Sequence, residues 1–112
     1  MASVLAFFYH PEAETELHAL PTTEQAAIGH AVEKWESQGV NLGYPHSSSI
    51  KTANGLRELR PRGGRSRWRA SYGQAGAAFI VGAIGPEASV NQRGFNRAVT
   101  AAEQRIKDIE DA

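Results

Sequence analysis

Seven cations, Lys51, Arg57, Arg60, Arg62, Arg65, Arg67 and Arg69, fall in the stretch KTANGLRELRPRGGRSRWRASY against a single acid, Glu58. Guanidinium groups offer planar forks of donors that match phosphate oxygens, so this density is a candidate anion-binding surface. The chain as a whole has a formal net charge of +0, so acids elsewhere offset the surplus. Residues 1–50 carry Lys34 against Glu12, Glu14, Glu16, Glu24, Glu33 and Glu36. Residues 70–112 carry Arg93, Arg97, Arg105 and Lys107 against five acids, Glu87, Glu103, Asp108, Glu110 and Asp111. The charge is segregated along the chain.

Turns and strands must position these arginines. Leu56–Pro61, Ser66–Tyr72 and Ala77–Ile84 read as strands, joined by Arg62-Gly63-Gly64 and Gly73-Gln74-Ala75-Gly76 as hairpin turns. In the middle strand Arg67, Arg69 and Ser71 share one face, and Trp68, Ala70 and Tyr72 the other. Glu58, Arg60 and Arg62 share a parity on the strand before it. Two neighbouring strands thereby put arginines on one face. The apolar, non-alternating Ala77–Ile84 suits a central strand covered on both faces.

Upstream, Val4–Tyr9 reads as a buried strand ended by His10-Pro11. Pro11 with Glu12, Glu14 and Glu16 opens a first helix, which Pro21 stops. Thr22 or Thr23 caps a second helix, Gln25 completing a capping box with Thr22. Ile28, Ala31, Val32 and Trp35 form its apolar stripe, and Gly39 ends it. Residues 39–55 read as a loop, with Leu42 and Ile50 available to pin it. A third helix spans about Asn91 to Asp111, with Phe95, Val99, Ala102, Ile106 and Ile109 on one face. The order βαα–βββ–α defines an α+β fold, and 112 residues suit one domain.

With 41% hydrophobic and 21% charged residues the composition is that of a globular protein. The absence of cysteine excludes disulfides and thiolate metal sites. MASVLAFFYH lacks a basic leader and is too short to span a bilayer, so a cytoplasmic protein without membrane association is expected. His10, His18 and His30 have no metal-ligand spacing, and no metal or cofactor is expected.

The motifs resemble the RelE/ParE toxin superfamily, in its HigB-like, phage-related branch. The resemblance rests on Leu42-Gly43-Tyr44-Pro45-His46-Ser47, on Gly55-Leu56-Arg57-Glu58-Leu59-Arg60, and on Gly64-Arg65 leading into Arg67-Trp68-Arg69-Ala70-Ser71-Tyr72. The family writes these as a leucine-glycine-x-proline turn, a "GLYELR" strand and an "RYRVLY"-like strand, and the element order matches over nearly the whole chain. The resemblance implies a small helix-flanked sheet with a basic concave face, and a cognate antitoxin, often of helix-turn-helix type. It also implies metal-independent cleavage of mRNA on the ribosome, with inhibited translation. The ParE branch instead poisons DNA gyrase, and a non-catalytic module binding an acidic partner is the alternative reading of the basic face.

By the same resemblance, Arg60 and Arg62 match cationic positions of the second strand, and Arg69 the third-strand arginine that contacts phosphate near the cleavage point. Lys51, Arg57, Arg65, Arg67 and Arg93 would hold RNA outside that point. Arginine suits phosphate and transition-state binding but transfers protons poorly at neutral pH. The base is then Glu58, His46 or a group on the ribosome. On this basis Arg69→Ala is expected to abolish toxicity with the fold intact. Two departures stand out. Glu58 occupies a position often held by lysine. Gly85-Pro86-Glu87-Ala88-Ser89 replaces a basic segment, leaving Arg93 and Arg97 of the last helix to compensate. Trp35, Trp68 and Tyr72 are able to stack on bases, although parity turns Trp68 and Tyr72 toward the core. Gly63-Gly64 is turn material and not a phosphate loop, since no lysine-serine/threonine pair follows.

Overall fold

A computed structural model describes residues 6–112. The strands are β1 (Ala6–Tyr9), β2 (Ser47–Ser49), β3 (Arg57–Leu59), β4 (Trp68–Ala75) and β5 (Ala78–Pro86). The helices are α1 (Pro11–His18), α2 (Thr22–Gln38) and α3 (Gln92–Asp111). The sheet order is β1-β5-β4-β3-β2; β1 runs parallel to β5 and the other pairs are antiparallel.

The sheet has a core on each face. On one side Ile28, Val32 and Trp35 of α2 and Ala13 of α1 meet Leu59, Ala70, Tyr72, Phe79 and Val81. Trp35 anchors this layer, with its ring 4.6 Å from Phe7 and 4.5 Å from Phe79. On the other side Val99, Ala102 and Ile106 of α3 meet Ile80, Ala83 and Leu56. Gly82 permits that approach, since a Cβ there would lie 2.8 Å from the Ala102 backbone.

Central placement of the apolar strand holds, because β5 lies between β1 and β4 and is buried along its interior. The stripe of α3 holds in its middle, while Ile109 remains 39% exposed. Asn91 caps α3 by accepting from the Gly94 N–H at 2.9 Å.

Other expectations change. Val4 and Leu5, the start of the predicted first strand, lie outside the described residues. The rest forms an edge strand, with Phe7 and Tyr9 partly buried and Phe8 exposed. No threonine side chain caps α2. Thr22 is already helical, Pro21 holds the cap position, and the Gln25 amide donates to the Leu20 carbonyl at 2.8 Å. The loop at 39–55 contains β2, three serines whose weak strand propensity hides it. Leu42 and Ile50 are buried, as the loop requires.

The link from β3 to β4 is not a tight hairpin. Both strands begin or end short of it, and Pro61–Gly64 forms a 3-10 turn with Arg62, Gly63 and Gly64 at positive φ. Gly64 also needs its missing side chain, because a Cβ would sit 2.6 Å from Arg60 Nη2. Among the described residues no helix is long and apolar enough to cross a membrane.

Candidate nucleic-acid interface

The register pairs Glu58 with Ser71 and Leu59 with Ala70. Glu58, Arg60 and Arg69 therefore rise from the same face of β3 and β4, as parity predicts. They line a cleft of about 530 Å³ together with Lys51, Ser49, Glu87 and, from α3, Gln92 and Phe95. The Glu58 carboxylate accepts from Ser48 Oγ at 3.2 Å and from Arg60 Nη1 at 3.0 Å. It also lies 3.7 Å from Arg69 Nε.

Arg69 is not the exposed phosphate ligand that the resemblance implies. Its side chain is only 3% exposed. Its Nη1 donates to the carbonyls of Ser66 at 2.7 Å and Trp68 at 3.0 Å. Its Nη2 donates to the Gly64 carbonyl at 3.2 Å and to Glu87 at 2.6 Å. Burial pushes its pKa down, Arg60 adds to that, and the two carboxylates oppose it. A guanidinium so enclosed has no fork left for substrate.

Arg62 is also placed differently from expectation. The positive φ of its backbone turns the side chain toward the start of α2. There Nη1 donates to Glu24 at 2.6 Å and Nη2 to the Thr23 carbonyl at 3.3 Å. Arg60 keeps access: Nε donates to the Pro45 carbonyl at 2.9 Å and Nη1 to Glu58. Among the described residues its Nη2 has no acceptor.

The remaining expected cations are dispersed. Lys51 is exposed on the rim of the Glu58 cleft. Arg57 lies on the opposite face of the sheet, paired in register with Tyr72, and donates to Ser47 and Ser49. That face belongs to the α2 core, so Arg57 does not join Arg60 and Arg69. His46 lines a second cleft, between α2 and the Arg60–Arg65 turn, and not the one that holds Glu58. Arg65 borders that cleft and a third groove. The third groove, lined by Trp68, Pro86 and Ala98, also holds Arg67 and Arg97. Arg93 is exposed on the first turn of α3. Tyr72 and Trp35 are buried and unavailable for stacking on bases. Among the described residues, no three of His, Asp and Glu converge as metal ligands.

Two participants escaped the sequence reading. Glu87 appeared only as an acid where cations were expected, yet it closes the Arg69 cage. Tyr44 stands in the sequence only as part of a turn motif, yet Arg60 lies over its ring at 4.9 Å from the centroid. Its position two residues before His46, in a Gly/Pro-rich loop, was the available signal.

What the cleft offers chemically is one guanidinium edge on Arg60, one ammonium on the rim and two carboxylates, of which Glu87 is engaged by Arg69. That set suits holding a phosphodiester beside a proton acceptor.

The family model described as phage-derived protein Gp49-like (DUF891) matches residues 15–81, from within α1 into the first half of β5. No curated protein matches the chain. Among solved structures, the chain is similar to one from the RelB–RelE antitoxin–toxin complex of Methanococcus jannaschii. The TM-score is 0.57 at 15% identity, over 77% of this chain and 96% of that one.

Proposed function

The chain belongs to the phage-derived Gp49-like family, and from that premise and its RelE-like fold we propose that it is the toxin of a toxin–antitoxin pair, cutting mRNA on the ribosome. Its partner is an antitoxin, of helix-turn-helix type by the resemblance drawn from the motifs. The observation that carries the reaction is the cleft in which Glu58, Arg60 and Lys51 face the same space.

In this reading the phosphodiester's free oxygens lie against Arg60 Nη2 and the Lys51 ammonium. Glu58 takes the proton of the neighbouring ribose 2′-OH, whose oxygen attacks phosphorus. The bond from phosphorus to the 5′ oxygen breaks, and that oxygen takes a proton from Lys51. The products are a 2′,3′-cyclic phosphate and a 5′-hydroxyl end. Arg69 acts behind the cleft by holding Glu58 and Glu87 in place. Arg62 fixes the turn that carries Arg60.

The test is purified protein added to translating ribosomes, with mRNA ends mapped by primer extension. Cleavage is expected, slowed about 10²-fold or more in Glu58→Gln, as for loss of a general base. Intact mRNA with unslowed translation would overturn the nuclease.

A second reading, a non-cutting binding module, is favoured by the enclosure of Arg69, which removes one transition-state cation. A ParE-like gyrase inhibitor is one form of it. Growth arrest with intact mRNA and damaged DNA would select that form, and absence of arrest would remove the toxin assignment altogether.

A further inference from the structure

Tyr44 is 77% exposed, the most exposed large aromatic or aliphatic side chain among the described residues. The Arg60 guanidinium covers one face of its ring. The same Arg60 lines the cleft of about 570 Å³ between α2 and the turn before β4. Its charged and titratable lining is His30, Lys34, His46, Arg60, Arg62 and Arg65, with no carboxylate. Three of these are matched by acids nearby: Arg60 by Glu58, Arg62 by Glu24 and His30 by Glu33. Lys34, Arg65 and His46 have no carboxylate partner among the described residues. The floor is small and apolar, made by Ala26, Ala27 and Ala31.

Tyr44 is joined through Arg60 to a cleft that carries unmatched cations, and an exposed ring with cations along the strand's path suits single-stranded nucleic acid: the ring stacks a base and the cations take the backbone. The volume lies within the range of about 300–1,000 Å³ typical of small-molecule sites. Arg60 borders both this cleft and the one holding Glu58, so a strand crossing Arg60 reaches from one to the other.

We infer that Tyr44 and the α2 cleft form a subsite for one nucleotide of single-stranded RNA, next to the one that is cut. The base stacks on the free face of Tyr44, and its phosphate lies among Lys34, Arg65 and His46. This inference deepens the proposed action on RNA and rests on it for the choice of strand. An acidic protein segment is the competing occupant. The Tyr44–Arg60 stack favours RNA, because it supplies a flat platform for which an acidic peptide has no matching group.

Binding of a fluorescent single-stranded oligoribonucleotide to the free full-length protein tests it, read by anisotropy across a salt series. Tyr44→Ala is expected to weaken binding roughly tenfold, the scale of one lost base stack, and Tyr44→Phe to retain it. Lys34→Gln is expected to lower the slope of log affinity against log salt by about 0.7, one phosphate on a single strand. Both residues are exposed, and melting curves of the variants check that the fold persists. Absence of oligonucleotide binding by the parent protein, or equal affinity in Tyr44→Ala, overturns the subsite. So does a Tyr44→Ala variant that loses antitoxin affinity but keeps RNA affinity. Translation arrest by a Tyr44→Ala protein with unaltered RNA affinity would sink the subsite and leave the toxin reading standing. Tenfold weaker RNA binding in that variant, with no arrest by the parent, would do the reverse.

Discussion

Four of the N–H groups of Arg69 donate to protein oxygens, and its Nε faces the Glu58 carboxylate. Three of the acceptors are backbone carbonyls of the segment Gly64–Trp68, and Glu87 belongs to the turn before α3. One side chain thus ties the β3–β4 link to the β5–α3 link. Removing it leaves Glu87 without its ion-pair partner, Glu58 with Arg60 alone, and the three carbonyls without this donor. Breaking a buried ion pair from one side costs about 3–5 kcal/mol, a large share of a domain's stability. Arg69→Ala is therefore expected to lower the urea unfolding free energy by that amount. Lysine at this site keeps the charge but not the fork, and recovers part of it. The fold-neutral outcome drawn from the motif alone is replaced by this one. A loss under about 0.5 kcal/mol in Arg69→Ala would show the cage to be dispensable. The motif located the arginine correctly on its strand and face. Its burial was not legible, because that depends on Glu87, eighteen residues away and reached only after β4 and β5 pair.

The first turn of α2 and the 3-10 turn after β3 are held together by Glu24. Its carboxylate accepts from Arg62 Nη1 at 2.6 Å and from Ser66 Oγ at 2.8 Å. The contact keeps Arg62 in its left-handed conformation, which a side chain other than glycine rarely adopts unaided. The hydrogen bond from Arg62, then that from Ser66, holds the Glu24 pKa below the usual carboxylate range. A depressed folded pKa means that stability is present above the unfolded value, about 4.3, and is lost as pH falls through the folded value. Thermal melts from pH 6 down to pH 2 are expected to show this loss. In Glu24→Gln the melting temperature at pH 6 should be lower and the acid slope shallower. Identical slopes in both proteins would rule out this tie. At this scale the sequence read well where a pattern was local. Phe95-to-Ile106 spacing gave α3, and the unbroken apolar run gave the central strand. It read poorly where pairing decides the structure: Ser47–Ser49 is a strand only because Arg57–Leu59 lies beside it. Arg62 leaves the basic face only because its backbone inverts.

Across the whole molecule, the helices on the two faces of the sheet meet through Glu16 of α1 and Arg105 of α3. Glu16 Oε1 accepts from the Ile84 N–H at 3.0 Å and from Arg105 Nη1 at 3.1 Å. Its Oε2 accepts from Arg105 Nη2 at 3.0 Å. Arg105 also donates to the Gly82 carbonyl at 2.9 Å, and its Nε lies 3.0 Å from Glu12. The hydrogen bonding of Arg105 to Glu16 is the main cause that raises the Arg105 pKa, against the opposing effect of burial. The bridge therefore joins α1, the backbone of β5 and α3, and none of these depends on the basic cleft. Glu16→Ala removes the arginine's principal partner and the acceptor of the Ile84 N–H. The expected loss is about 2–4 kcal/mol, combining a charged hydrogen bond with an unsatisfied backbone donor. Glu16→Gln keeps an acceptor for Ile84 and should lose roughly half as much. Arg105→Ala removes the same link from the other side, so the double variant should lose less than the two single losses added. A coupling of about 1–3 kcal/mol from denaturant unfolding of the four proteins is the expected result. Additivity within about 0.5 kcal/mol would mean that the two faces are held only by their separate apolar cores.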